Sequence, residues 1–270
     1  MKEAVTVSII MGVYNIKNKD QFRQAVESIQ NQSYTLWELI VCNDGSTNDT
    51  GKQLQQFAEK DFRIRVVGYD TNKGLAHALN TCIQSAKGRY IARMDADDIS
   101  LPERIQRQVE FLEQHRDIHF VGTAAELIDD NGVWGERIMP EKPERKTFLF
   151  RSPFIHPTVM FRREILHAAE GYRVAKETRR AEDYDLFMRL YALGYQGYNL
   201  SERLYQFRED GEALGRKKYR YRIDEMRVRW QGFKKLGLLP GGFLYVIKPL
   251  IVGLIPYKVL VWMRNDRMKR

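Results

Sequence analysis

The first hundred residues repeat one pattern four times: a short apolar run, then a stretch with helical spacing of apolar side chains. The runs cover residues 5–13, 37–42, 64–69 and 90–94. The helical stretches cover 21–30, a polar segment ending near Lys60, 75–86 and 102–114. Strands and helices in alternation bury their apolar faces together as a parallel sheet with helices on both sides. In such an open sheet a ligand collects beyond the carboxyl ends of the strands. The residues just after each run are therefore the ones to inspect. They are Tyr14-Asn15, then Asn43-Asp44-Gly45-Ser46, then Asn72-Lys73-Gly74, then Asp95-Ala96-Asp97-Asp98. The topology brings all four sets to one edge, although the sequence keeps them far apart.

The pattern then changes. Runs at 118–128 and 133–138 flank Asp130-Asn131-Gly132, a strong hairpin signal. Another strand is expected at 154–161, and a helix at 183–193 ended by Gly194. From Arg216 the chain turns basic and aromatic, and 243–263 is strongly apolar. The formal charge of +9 is unevenly spread. Residues 1–200 hold 27 Lys and Arg against 28 Asp and Glu, whereas 201–270 hold 17 against 7. That asymmetry argues against a nucleic-acid binder and for a near-neutral domain with a basic tail meeting an acidic surface. Two cysteines exclude a disulfide scaffold and a four-cysteine zinc site. With no export signal at the start of the chain, a cytoplasmic protein with reduced thiols is expected.

The candidate residues each carry a structural and a chemical reading. Asp95 and Asp97 are two apart, so on a continuing strand both carboxylates point the same way. Two hard oxygen ligands on one side suit Mg²⁺ or Mn²⁺ shared with substrate phosphates. The structural alternative is a capping box of Ser100 and Glu103, with the acids serving the helix dipole. Asp44 sits in a turn where Asp is common for local reasons; a carboxylate there could also accept the ring N–H of uracil. Gly74 either lets backbone approach a ligand or simply makes a turn. Glu182 and Asp183 are either dipole-favoured acids in a first helical turn or a general base facing an acceptor hydroxyl. His156 is either structural or a substrate or metal contact.

Five segments, in order, resemble the family-2 inverting glycosyltransferases of GT-A fold. They are 7–15 (VSIIMGVYN), 38–49 (ELIVCNDGSTND), 72–80 (NKGLAHALN), 88–104 (GRYIARMDADDISLPER) and 181–190 (AEDYDLFMRL). The resemblance covers about residues 5–205. It implies a mixed α/β sheet of Rossmann-like, nucleotide-binding type, flanked by helices. It also implies a nucleotide-sugar donor, expected to be UDP-linked, a divalent metal, and one in-line displacement with inversion. By the same resemblance Tyr14, Asn15 and Asp44 hold the nucleoside, and Asn72, Gly74 and Arg93 line the donor site. Asp95 contacts the donor, Asp97 binds the metal that bridges the diphosphate, and Asp183 is the base with Glu182 beside it.

Two departures refine this. Many members carry Arg before the residue matching Asn80, where this chain has Leu79, so one diphosphate contact is not expected. Processive synthases carry Gln-x-x-Arg-Trp after the acidic pair; here Met226-Arg227-Val228-Arg229-Trp230 keeps Arg-Trp without the Gln. There is no series of membrane spans either, so one sugar per encounter is expected. The expected domains are a catalytic unit at 1–205 and a basic amphipathic region at 206–270. Within the latter, Lys248, Lys258, Pro249 and Pro256 interrupt the apolar stretch, which favours short interfacial pieces over a span. The expectation is therefore a protein peripheral to the cytoplasmic membrane face, acting on a lipid-linked saccharide. Competing readings are a catalytically inactive sugar-nucleotide or membrane-binding module, and a sugar nucleotidyltransferase. The latter would want a Gly-rich phosphate loop, absent from 12–19.

Overall fold

A computed structural model describes residues 6–209 and 219–254. The four expected strands form as β1 (Val7–Val13), β2 (Trp37–Asp44), β3 (Ile64–Tyr69) and β4 (Tyr90–Arg93). Between and after them come α1 (Lys19–Gln30), α2 (Thr50–Lys60), α3 (Leu75–Ser85) and α4 (Arg104–Gln114), with a two-residue strand β5 (Ile99–Ser100) ahead of α4. The strands pair in parallel in the order β3-β2-β1-β4, so their carboxyl ends share one edge. Alternation along β1 explains its continuous apolar run. Val7, Ile9, Met11 and Val13 enter one core with Phe22 and Val26 of α1, while Ile10 enters the other with Ala78 and Cys82 of α3. A strand covered on both faces has no polar side to show.

The second half completes a nine-stranded mixed sheet. β6 (Phe120–Asp129) and β7 (Gly132–Arg137) form the expected hairpin. The strand expected at 154–161 is only β8 (Met160–Arg162), because His156–Thr158 forms a 3₁₀ turn around Pro157. β8 joins β4 to β6 in antiparallel fashion. After α5 (Arg163–Ala168) and α6 (Glu182–Ala192), a long strand β9 (Gly197–Arg208) pairs with β6 in parallel and with β5. Half-exposed and polar along much of its length, β9 has no apolar signature in the sequence.

The start of α4 differs from expectation. Ser100 lies in β5, and Glu103 makes no side-chain cap. The buried amide of Gln32 does the capping instead: its oxygen accepts from Ile105 N–H at 3.1 Å, and its nitrogen donates to the Ser100 and Leu101 carbonyls at 3.1 and 2.9 Å. A side chain from α1's end thus satisfies orphan groups that a local box was expected to satisfy.

Two C-terminal helices, α7 (Tyr219–Lys235) and α8 (Phe243–Leu254), pack through Val228, Phe233 and Val246 onto the core shared by α3 and α6. β9 runs through position 205 to Arg208. Pro249 was expected to break the apolar stretch, yet α8 continues through it. Proline removes one helical donor and frees the carbonyl four residues earlier, that of Tyr245. The buried Arg229 guanidinium donates to that carbonyl at 3.3 Å and to Leu149 O at 3.0 Å. The Arg of the Arg-Trp pair is therefore a bracket between helices, while Trp230 faces outward. Among the described residues no helix is long and apolar enough to cross a membrane. The remainder of the apolar stretch, 255–263, lies outside the described residues, as do much of the basic cluster at 216–222 and all of that at 264–270. Cys42 and Cys82 are free and buried.

Candidate active site

At the carboxyl edge, the turn after β1 is tied to the turn after β2. Asn15 adopts a left-handed backbone (φ 48°), and its side-chain oxygen accepts from Thr47 N–H at 2.8 Å. Its own N–H donates to Ser46 Oγ at 2.9 Å. The Tyr14 ring beside it stands half exposed. Gly45 (φ +66°) passes so close to the next turn that a Cβ would lie 2.3 Å from the Thr71 carbonyl carbon. Only glycine fits there.

Asp44, the expected nucleobase acceptor, has partners within the chain. Its buried carboxylate receives Tyr69 O–H at 2.7 Å, Asn72 Nδ2 at 2.8 Å, Lys73 N–H at 2.8 Å and Gly74 N–H at 2.9 Å. Four donors fill the roughly four lone-pair positions of a carboxylate. Asp44 thus clamps the segment carrying Asn72 and Gly74 to the sheet edge.

β4 ends at Arg93, so Asp95 and Asp97 lie in the turn beyond it and not on a continuing strand. The turn nevertheless gathers Asp95, Asp97 and Asp98, with one carboxylate oxygen of each within 4.8 Å of the others. Asp97 stands exposed and Asp98 is buried. Desolvation and then the Asp95 charge hold both carboxyls above their ordinary values. Asp98 Oδ1 accepts from Arg208 N–H at 2.7 Å, but its buried Oδ2 has no partner among the described residues. Three crowded hard oxygens fit a divalent cation. His156 is not part of that cluster. Its Nε2 is 2.7 Å from the Tyr172 hydroxyl, and burial, then the Arg93 charge, keep the imidazole neutral. The Tyr172 phenol thus engages Nε2 of His156, the residue expected as a substrate or metal contact.

Arg93 lies fully enclosed behind the cluster, ion-paired to Asp95 at 2.5 Å, with Nε lacking a hydrogen-bond partner among the described residues. Glu182 and Asp183 open α6, whose first turn also holds Asp185; Arg173 and Arg189 neutralise the last at 2.9 and 2.7 Å. Glu182 is pushed up to about 7, chiefly by burial and then by the Asp183 charge, with Arg93 opposing. The Arg93 charge thus acts on Asp97 and on Glu182 alike. Tyr172, buried and raised above its ordinary value first by desolvation, also feels Arg93, Asp183, Glu182 and Asp95. Arg93 and Tyr172 thus feel the charges of both acidic groups, which are nearly ninety residues apart in sequence.

Sequence reasoning missed several of these neighbours. Tyr205 accepts from Asp95 N–H at 3.2 Å, and Arg208 donates through Nε to the Asp97 carbonyl at 3.0 Å. Both come from β9, which carried no signal. Tyr172 is held by Asn80, whose side chain bonds both its N–H and its carbonyl at 2.8 and 2.7 Å. Asp98 alone was legible, as the third acid of its run. Leu79 is fully buried and packs in the core with Ala78 and Cys82.

The state of Glu182 has a measurable consequence. A carboxyl near 7 in the native state and near 4.5 when unfolded costs nothing below pH 4.5; its penalty grows to about pH 7 and is complete above. In metal-free protein Glu182→Gln should therefore stabilise little at pH 4.5 and by about 1–3 kcal/mol at pH 8. Denaturant midpoints at the two pH values check this, and an equal gap at both would contradict it.

A parallel half-sheet completed by antiparallel strands, with an acidic turn after its fourth strand, is the architecture of the GT-A fold. Residues 8–169 match Glycosyl transferase family 2, and the chain belongs to that family. It is 42% identical over 261 residues to EpsE of Bacillus subtilis (strain 168), covering 96% of this chain and 93% of that protein. It is 34% identical over 136 residues to the Escherichia coli UDP-Glc:alpha-D-GlcNAc-diphosphoundecaprenol beta-1,3-glucosyltransferase WfgD, covering 50% and 52%. Among solved structures, S. aureus TarS in complex with UDP-GlcNAc superposes with a TM-score of 0.70 at 18% identity, over 90% of this chain and 73% of TarS. The mannosyltransferase PcManGT from Pyrobaculum calidifontis, in complex with GDP-Man and Mn²⁺, does so at 0.60 and 18%, over 99% and 81%. The chain is thus a family-2 enzyme that transfers sugar from a nucleotide-sugar. That sets aside the nucleotidyltransferase and the inactive binding module.

Proposed function

We propose that this enzyme moves one sugar, with inversion, from a UDP-linked donor to a hydroxyl of a lipid-linked saccharide, in a metal-dependent reaction. The observation that carries the reading is the cluster of Asp95, Asp97 and Asp98 carboxylates beyond β4, backed by Arg93, whose charge is felt both there and at Glu182. Tyr14 and Asn15 receive the nucleoside, the ring of Tyr14 offering a stacking face. Asn72 and Gly74, held by Asp44, line the donor with Arg93. Asp95 and Asp97 hold the cation, Mn²⁺ or Mg²⁺, with Asp98 behind them; when bound it supplies positive charge beside the departing diphosphate.

Asp183 takes the acceptor hydroxyl proton as that oxygen bonds the anomeric carbon. The carbon's bond to the diphosphate oxygen breaks on the opposite face, and the nucleoside diphosphate leaves with the electron pair. Glu182, pushed up to about 7, is about half protonated beside Asp183 near neutral pH. WfgD's diphospholipid acceptor and PcManGT's Mn²⁺ agree with this reading. Mn²⁺-dependent release of UDP from UDP-sugars is the direct test. No release from any UDP-sugar, with release from GDP-sugars instead, would reassign the donor.

The C-terminal region supports a peripheral membrane role and a domain organisation of catalytic unit plus tail. Trp230, Phe243, Leu244, Ile251 and Leu254 on α7 and α8 are exposed, in a segment that is otherwise rich in Lys and Arg. Exposed apolar side chains among cations suit an anionic bilayer surface, here the cytoplasmic face. The full chain should float with anionic liposomes at low salt, and a 1–240 truncation should float less. Equal recovery of both in the soluble fraction would defeat the idea.

A further inference from the structure

Between the donor edge and the opening turn of α6 lies a cavity of about 580 Å³. Its walls carry four cations: Lys73 from the segment clamped by Asp44, and Lys176, Arg179 and Arg180 from the loop ahead of α6. All four are exposed, and among the described residues none is paired with a carboxylate. Lys73 rests over the Tyr69 ring at 4.6 Å, and Arg180 over the Tyr221 ring at 5.3 Å. The one acid on the wall is Glu182, whose proton is half retained near pH 7. Four cations lining one cavity, none paired with a carboxylate among the described residues, make a concave site for a multivalent anion.

We propose that this cavity binds the phosphate or diphosphate group of the acceptor, with Lys176 and Arg179 as its specificity-determining residues. The inference rests on the glycosyltransferase reading above. Two observations favour the acceptor over the donor as the source of the phosphate. The cavity holds Glu182, next to the proposed base, and the acceptor hydroxyl must arrive there. Arg180 also links the cavity to Tyr221 of α7, the helix that with α8 presents the exposed apolar side chains. An acceptor whose lipid lies along α7 and α8 would thus bring its phosphate to this wall.

The test uses the full chain with Mn²⁺ and geranyl diphosphate as a soluble probe, with geraniol as the uncharged control. Calorimetry should show geranyl diphosphate binding even when UDP is saturating, and geraniol should not bind. The double variant K176E/R179E should weaken the probe by about tenfold or more while leaving UDP affinity unchanged, which also reports an intact fold. Displacement of the probe by UDP would assign the cations to the donor diphosphate and overturn the proposal. So would equal probe affinity in the double variant. If the wild-type chain fails to bind UDP with Mn²⁺ at all, the donor reading falls first and this inference with it.

Discussion

Asp183→Asn is expected to lower transfer by roughly 10²–10⁴-fold while leaving UDP-sugar affinity within a few-fold of the parent. The base acts on the acceptor hydroxyl, so its loss touches the displacement and not the nucleotide. The substitution keeps side-chain size and the helical position in α6, whose first turn also holds Asp185, anchored by Arg173 and Arg189. Its neighbour Glu182 should respond as well. Burial is the larger cause of that carboxyl's rise to about 7, and the Asp183 charge is the second. Removing the charge should therefore bring Glu182 down without restoring its ordinary value. Single-turnover transfer and equilibrium donor binding, measured on the same protein, separate the outcomes. Transfer at the parent rate, or loss of donor binding, would give Asp183 another job.

Asp97→Asn should cost roughly 10²–10³-fold in turnover, the usual effect of removing a group that stabilises charge in the transition state. Asp97 is the exposed member of the three-carboxylate turn. Replacing its charge also relieves repulsion among Asp95, Asp97 and Asp98, so the metal-free variant should be no less stable than its parent. Turnover should recover in part as Mn²⁺ is raised, because two carboxylates remain. Activity within a few-fold of the parent at limiting Mn²⁺ would remove Asp97 from the metal site.

The parallel half of the fold was legible because β1, β2 and β4 are buried on both faces and write themselves as apolar runs, while the half-buried edge strand β3 keeps Ile64, Val66 and Val67 together. The same logic located the edge, since in a parallel sheet the residues after each strand must converge. The hairpin at Asp130-Asn131 was legible from turn chemistry, which is local. Where a strand is half exposed the sequence carries little, and β9 is the example. Its absence from the reading hid Tyr205 and Arg208, both bonded to the acidic turn.

Local rules also chose wrongly where a distant group was available. Ser100 and Glu103 had the spacing of a capping box, but Gln32 reaches α4 from α1 and satisfies its first turn. Pro249 had the chemistry of a helix breaker, but Arg229 takes the carbonyl that proline frees.

What the sequence determined by itself is the set of elements buried on both faces and the chemistry at their ends, because strand burial and turn geometry are written in neighbouring residues. Only the tertiary structure decided that Asp44 spends its lone pairs on Tyr69, Asn72, Lys73 and Gly74, and that His156 is held by Tyr172. It alone decided, too, that the Glu182 carboxyl rises to about 7. Hydrogen-bond partners and desolvation depend on which distant segments arrive at the same place, and no window of sequence contains that information.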